Sequence, residues 1–167
     1  YDVLAFHGHG SMSSYRNQVD RLVKMRRDLG IEAPWYANET AISAILIGEM
    51  KQAETLFQKF LYSWANGAIG YNWYDLRNDG FDPNANEHNF GLITRDFQPK
   101  AAYAVYNALA GTYREAEFLR AVRFGGNIEA FLFKASDGRL LLAVWNNDPG
   151  CDGTPLCLSG ISGRAEE

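Results

Sequence analysis

Four side chains of this chain have the types and placement to act together: Glu39, His7, His9 and Trp73. Glu39 closes an apolar run, Ala33-Pro34-Trp35-Tyr36-Ala37-Asn38, that reads as a buried strand; Thr40-Ala41-Ile42-Ser43 leads away from it. A carboxylate where a buried strand meets its loop is paired or used, because burying it alone is costly. An ionised glutamate there can act as a nucleophile. His7 and His9 stand just after an apolar stretch at residues 2–6. Residues two apart in an extended chain share a face, so both can point into one cleft. They read equally as hydrogen-bonding groups or as ordinary loop-end histidines. Trp73 precedes Tyr74 and Asp75 at the end of a third apolar stretch, a cleft-facing place. Trp35 and Trp64 read as packing and core.

Other chemistries fit poorly. A metal site wants more ligands at matching spacing than His7 and His9 provide. His88, the remaining histidine, lies in a different loop, so no metal and no cofactor is expected. Gly8-His9-Gly10-Ser11-Met12-Ser13 lacks the third glycine of a dinucleotide fingerprint and has no serine between glycines at the spacing of a nucleophile elbow. Asp75-Leu76-Arg77-Asn78-Asp79-Gly80 fails as a calcium loop at Arg77 and Asn86; it reads as a solvated connection rimming a cleft. Asn38-Glu39-Thr40 fits the glycosylation pattern by chance, since it ends a buried strand. A bland reading of Glu39 pairs it with a buried arginine, Arg77 or Arg95.

The elements that position these residues alternate between strand and helix over the first two thirds. Strands are expected at 2–6, 34–38 and 68–74. A Gly/Ser segment at 8–14 leads into a helix over 15–29, whose apolar residues Tyr15, Val19, Leu22, Val23 and Leu29 share a face before Gly30. Met50, Ala53, Leu56, Phe57, Phe60, Leu61 and Trp64 give the strongest helix signal, over 49–66. After a polar loop at 75–89 and an apolar stretch at 90–93, a last helix starts near Pro99. Its apolar face holds Ala102, Tyr103, Val105, Tyr106, Leu109 and Tyr113. Strands separated by whole helices imply parallel pairing. After Glu115 the pattern changes to strands at 118–124, 128–134 and 139–146, with a turn at Ser136-Asp137-Gly138. That is an antiparallel meander, part of a sandwich, followed by a loop-like segment at 147–167.

Composition narrows the function classes. The 167 residues are 47% apolar and 14% aromatic, enough for a real core. A net charge of −4 without a Lys/Arg stripe argues against nucleic acid as a partner. Arg26-Arg27 reads as a solvated helix face. No apolar run is long enough to cross a bilayer, so no membrane partner is expected. Tyr1 falls inside a strand pattern without an initiating Met, which reads as a truncated or processed chain. Cys151 and Cys157 can form a small disulfide loop or remain free thiols, so the compartment stays open.

His7-Gly8-His9, Asn38-Glu39-Thr40 and Asn72-Trp73-Tyr74-Asp75 follow successive strands in fixed order. Together they resemble the last three strand–helix units of a clan A glycoside hydrolase (β/α)8 barrel. Residues 52–109 carry the closest similarity, through Gly67, Gly70-Tyr71-Asn72-Trp73, Phe90-Gly91-Leu92 and Pro99-Lys100-Ala101-Ala102-Tyr103. The resemblance implies an α/β fold with the C-terminal portion of the catalytic barrel at 1–115 and an incomplete antiparallel β-sandwich at 116–167. It implies that Glu39 is the nucleophile, that Trp73 is the aromatic platform under the sugar, and that His7 lines the sugar site. His9 falls where many members carry a tyrosine that hydrogen-bonds the nucleophile, a departure that still leaves a donor for Glu39.

A retaining glycosidase needs two carboxyls about 5–5.5 Å apart. In this superfamily the acid/base follows the fourth strand, upstream of Tyr1, and none of Asp75, Asp79, Asp82 or Glu87 matches it. The resemblance therefore implies a fragment of an enzyme that cleaves a β-linked carbohydrate, inactive alone and completed by the missing N-terminal part of the barrel. The alternative is a non-catalytic carbohydrate-binding or scaffold fragment using the aromatic cleft around Trp73.

Overall fold

A computed structural model describes residues 2–148. Cys151, Cys157 and the expected loop beyond residue 148 lie outside the described residues. The fold is mixed α/β with two three-stranded sheets. The first contains β1 (Leu4–His9), β2 (Trp35–Ala41) and β3 (Ala68–Trp73), in that order and all parallel. Helix α1 (Met12–Asp28) links β1 to β2. A single turn, α2 (Ala44–Ile47), and a long helix, α3 (Glu49–Ala65), link β2 to β3. Helix α4 (Ala101–Tyr113) follows the loop after β3. The second sheet is an antiparallel meander of β4 (Glu117–Val122), β5 (Ile128–Lys134) and β6 (Leu140–Asn146).

Hydrophobic burial explains the layout. Tyr15 and Val19 of α1, Leu56, Phe60 and Leu61 of α3, and Ala102 and Leu109 of α4 cover one face of the parallel sheet. Trp35 is fully buried beneath them, its indole N–H donating to the Asn66 carbonyl at 3.0 Å. Gly8 is small because Tyr15 lies across it: a Cβ there would sit 2.3 Å from Tyr15 Cε2. The antiparallel sheet joins the same hydrophobic cluster through Phe131, Phe133 and Trp145, with Phe131 against Tyr62 and Trp145 edge-on to Phe57. A two-pronged ion pair from Arg16 of α1 to Glu129 of β5 reinforces that contact, with Nη1 2.8 Å from Oε1.

Several boundaries differ from the sequence expectation, and most for one reason. β1 runs through His9 and β2 through Ala41, so His7, His9 and Glu39 belong to strands and do not follow them. Their polarity marks the sheet's open face at the C-terminal ends of β1 and β2, where side chains alternate outward, and not a loop beyond the strands. Helix α1 begins at Met12, where Ser11 Oγ accepts the Ser14 N–H. Met50 and Tyr103, expected on apolar helix faces, point to solvent. Arg26 is half-buried, not solvated, and donates to the Ala33 carbonyl at 2.6 Å. The loop at 75–89 is more ordered than a solvated connection. It ends in a 3-10 turn at Asn86–Asn89, and its Asn78 is buried, accepting the Gly91 N–H at 2.8 Å.

Candidate active site

The C-terminal ends of the three parallel strands meet at one place. β2 is the central strand, and its Glu39 sits in register with His7 of β1. His9 Nε2–H donates to Glu39 Oε1 at 2.9 Å, and His7 Nδ1 lies 3.9 Å from Glu39 Oε2. Glu39 is not a buried charge: its side chain is 37% exposed. Among the described residues no arginine pairs with it, which removes Arg77 and Arg95 as its structural partners. Polar contacts this exposed are worth at most about 1 kcal/mol to stability. Two histidines converging on one carboxylate are therefore poorly explained as a folding device.

The strand ends are held from below by polar groups of α3. Lys59 is fully buried and donates to the carbonyls of Gly8 at 3.0 Å and Ala41 at 2.9 Å, tying β1 to β2 just under His9 and Glu39. Its ammonium also lies 5.1 Å from the centre of the Tyr15 ring and 5.9 Å from that of Trp73. Burial pushes its pKa down to about 7. Gln52, also fully buried, gives its amide N–H groups to the carbonyls of Ile42, Asn89 and Phe90. It thereby holds the loop after β2 against the loop after β3. Thr40 Oγ1 donates to the Asn72 carbonyl at 2.9 Å, fixing β2 to β3.

A cleft of about 380 Å³ opens beside Glu39, lined among others by Asn38, Asn72, Trp73, Tyr74 and Asp75. Trp73 lines it but is only 7% exposed, with its indole N–H anchored on the Phe90 carbonyl at 3.0 Å. Asn38 Oδ1 and Asp75 Oδ1 are buried without a hydrogen-bond partner among the described residues. Such acceptors cost about 1–3 kcal/mol each unless something donates to them. Burial, reinforced by the nearby Asp79 charge, pushes the Asp75 carboxyl up to about 6. A larger cavity of about 530 Å³ lies between α1, α3 and the end of β6, but it contains neither Glu39 nor a histidine.

The structure thus brings Glu39, His7 and His9 together and places Trp73 in the adjoining cleft wall. Sequence reasoning missed Lys59 and Gln52, because polar residues on an apolar helix stripe read as interruptions. His88 stays apart; its Nδ1 accepts the Asp82 N–H.

No family model matches the chain, and no curated protein matches it. Solved structures do. The chain is similar to a family 39 glycoside hydrolase from the gut symbiont Bacteroides cellulosilyticus WH2, with a TM-score of 0.67 and 26% identity over 78% of this chain. It is also similar in fold to a GH5_18 protein from Bifidobacterium longum subsp. longum in complex with Manb1-4GlcNAc, with a TM-score of 0.55 and 16% identity over 70% of this chain. The chain spans 28% of the first neighbour and 31% of the second. The mixed α/β architecture is thus that of a partial glycoside hydrolase fold.

Proposed function

We propose that this chain is part of a clan A retaining glycoside hydrolase that cleaves a β-glycosidic bond by double displacement, with Glu39 as nucleophile. The observation that carries this reading is the placement of Glu39 at the C-terminal end of the central parallel strand, with His9 donating to one carboxylate oxygen at 2.9 Å. In barrels of this class, catalytic groups stand at that end of the strands. The likeness to glycoside hydrolases supports it.

In the first step Glu39 Oε2, the oxygen farther from a donor, attacks the anomeric carbon. The glycosidic oxygen leaves with a proton from a carboxylic acid outside this chain. In the second step that group, now a carboxylate, takes a proton from water as the water attacks the anomeric carbon and releases Glu39. His9 fixes the carboxylate rotamer, and His7 and Trp73 border the sugar.

The first sheet supports the incomplete-barrel reading. Parallel sheets are almost always covered on both faces. Here the face carrying Ala5, His7, His9, Ile69 and Asn72 is exposed. We assign residues 1–115 to three strand–helix units of the barrel and 116–167 to a partial β-sandwich. The further units would cover the open face and bring the acid/base carboxyl to about 5–5.5 Å from Glu39.

The stereochemical outcome tests this. Proton NMR of an aryl β-glycoside digest by the longer protein should show the β-anomer of the released sugar first. Initial release of the α-anomer would exclude Glu39 as a covalent nucleophile.

A further inference from the structure

We propose that His7, His9 and Glu39 form a binding site for a divalent transition-metal ion such as Zn²⁺, and that the ion competes with substrate for this site. The competition rests on Glu39 being the nucleophile; the metal site rests on geometry alone.

One ligand atom from each of the three residues lies within 4.8 Å of the other two. Glu39 Oε1 lies 2.9 Å from His9 Nε2, and Glu39 Oε2 lies 3.9 Å from His7 Nδ1. Zn–N and Zn–O bonds of about 2.0–2.2 Å in a tetrahedral centre place ligand atoms roughly 3.3–3.6 Å apart. The three ligand atoms, within 4.8 Å of one another, are therefore near that spacing, and side-chain rotation is what would bring them to it. All three residues stand on strands in fixed register, His7 directly opposite Glu39, which preorganises the site.

The donor set selects the ion. Two imidazoles and a carboxylate favour a first-row transition metal such as Zn²⁺, Cu²⁺, Ni²⁺ or Fe²⁺, whereas Ca²⁺ and Mg²⁺ want oxygen ligands throughout. The half-exposed side chains leave the fourth position open to water. Zn²⁺ would replace the proton that His9 shares with Glu39 and occupy the carboxylate lone pair needed for attack. The spacing of His7 and His9 alone did not reveal this site, because the third ligand arrives from the neighbouring strand.

The test is a calorimetric titration of the metal-free protein with Zn²⁺, alongside its His7→Ala, His9→Ala and His88→Ala variants, each checked for folding by circular dichroism. One Zn²⁺ should bind per chain. His7→Ala and His9→Ala should each weaken binding by roughly tenfold or more, since even partners one shell out are worth that much. His88→Ala should leave it unchanged. Absence of saturable binding, or binding insensitive to both His7→Ala and His9→Ala, overturns the site. In the active enzyme Zn²⁺ should raise KM and leave kcat unchanged. Zn²⁺ bound through His7 and His9 without any effect on hydrolysis would overturn the competition and count against Glu39 as nucleophile. A covalent sugar adduct on Glu39 with no Zn²⁺ binding would overturn the metal site and leave the glycosidase reading standing.

Discussion

Glu39→Ala is expected to cost the longer glycosidase on the order of 10⁴-fold or more in kcat, the scale seen when a covalent nucleophile is removed. The loss should appear in kcat and kcat/KM together, because the carboxylate forms its bond only on the way to the transition state. Folding should hardly change. Glu39 is 37% exposed, and its partners His7 and His9 are exposed as well, so the lost contacts are worth at most about 1 kcal/mol. Added azide should restore turnover of an activated aryl glycoside in Glu39→Ala and yield the α-glycosyl azide, since the vacated space admits a small anion on the nucleophile's side. Steady-state kinetics with and without azide check this. Wild-type-like kcat in Glu39→Ala would remove the residue from the chemistry.

Lys59→Met is expected to change the pH dependence of stability more than any surface substitution. Its ammonium is buried under the site, and burial lowers its pKa from 10.5 to about 7. Between those values the unfolded chain binds the proton and the folded chain does not. Stability therefore rises with pH across that window, and the contribution is lost as pH falls through about 7. Methionine fills a similar volume without titrating. Wild type should thus gain roughly 2–3 kcal/mol on Lys59→Met between pH 7 and pH 9. The tyrosines that titrate higher are common to both proteins and cancel. Urea unfolding at the two pH values measures the gap; parallel curves would show that Lys59 keeps its proton when folded. Lys59→Met also strips the donors from the Gly8 and Ala41 carbonyls, which should loosen the strand ends carrying His9 and Glu39. An increased KM is the catalytic signature of that loosening.

The sequence was most readable where packing is apolar. The stripe from Ala53 to Leu61 placed α3 because its side chains face one core, and whole-helix crossovers implied the parallel pairing of β1, β2 and β3. It was least readable where polar side chains occupy structured positions. His7, His9 and Glu39 looked like residues beyond the strands because hydrophobicity stops at Phe6 and Ala37, yet hydrogen-bonded pairing continues to His9 and Ala41. Lys59 and Gln52 were invisible as organisers, since their value lies in backbone carbonyls that only the folded chain brings near. The convergence of two histidines on Glu39 is a contact across strands, which no spacing within one strand encodes. Trp73 was placed at the cleft by its position at the end of β3, but its burial and its bond to Phe90 depend on a loop that the pattern left formless.

The most direct test of the central claim is covalent trapping. An activated 2-deoxy-2-fluoro β-glycoside slows departure of the sugar from a retaining enzyme, and mass spectrometry of the peptides then locates the adduct. One sugar is expected on the peptide containing Glu39, with protection by a competing ligand. An adduct on another carboxylate, in an enzyme that turns over normally, would contradict it.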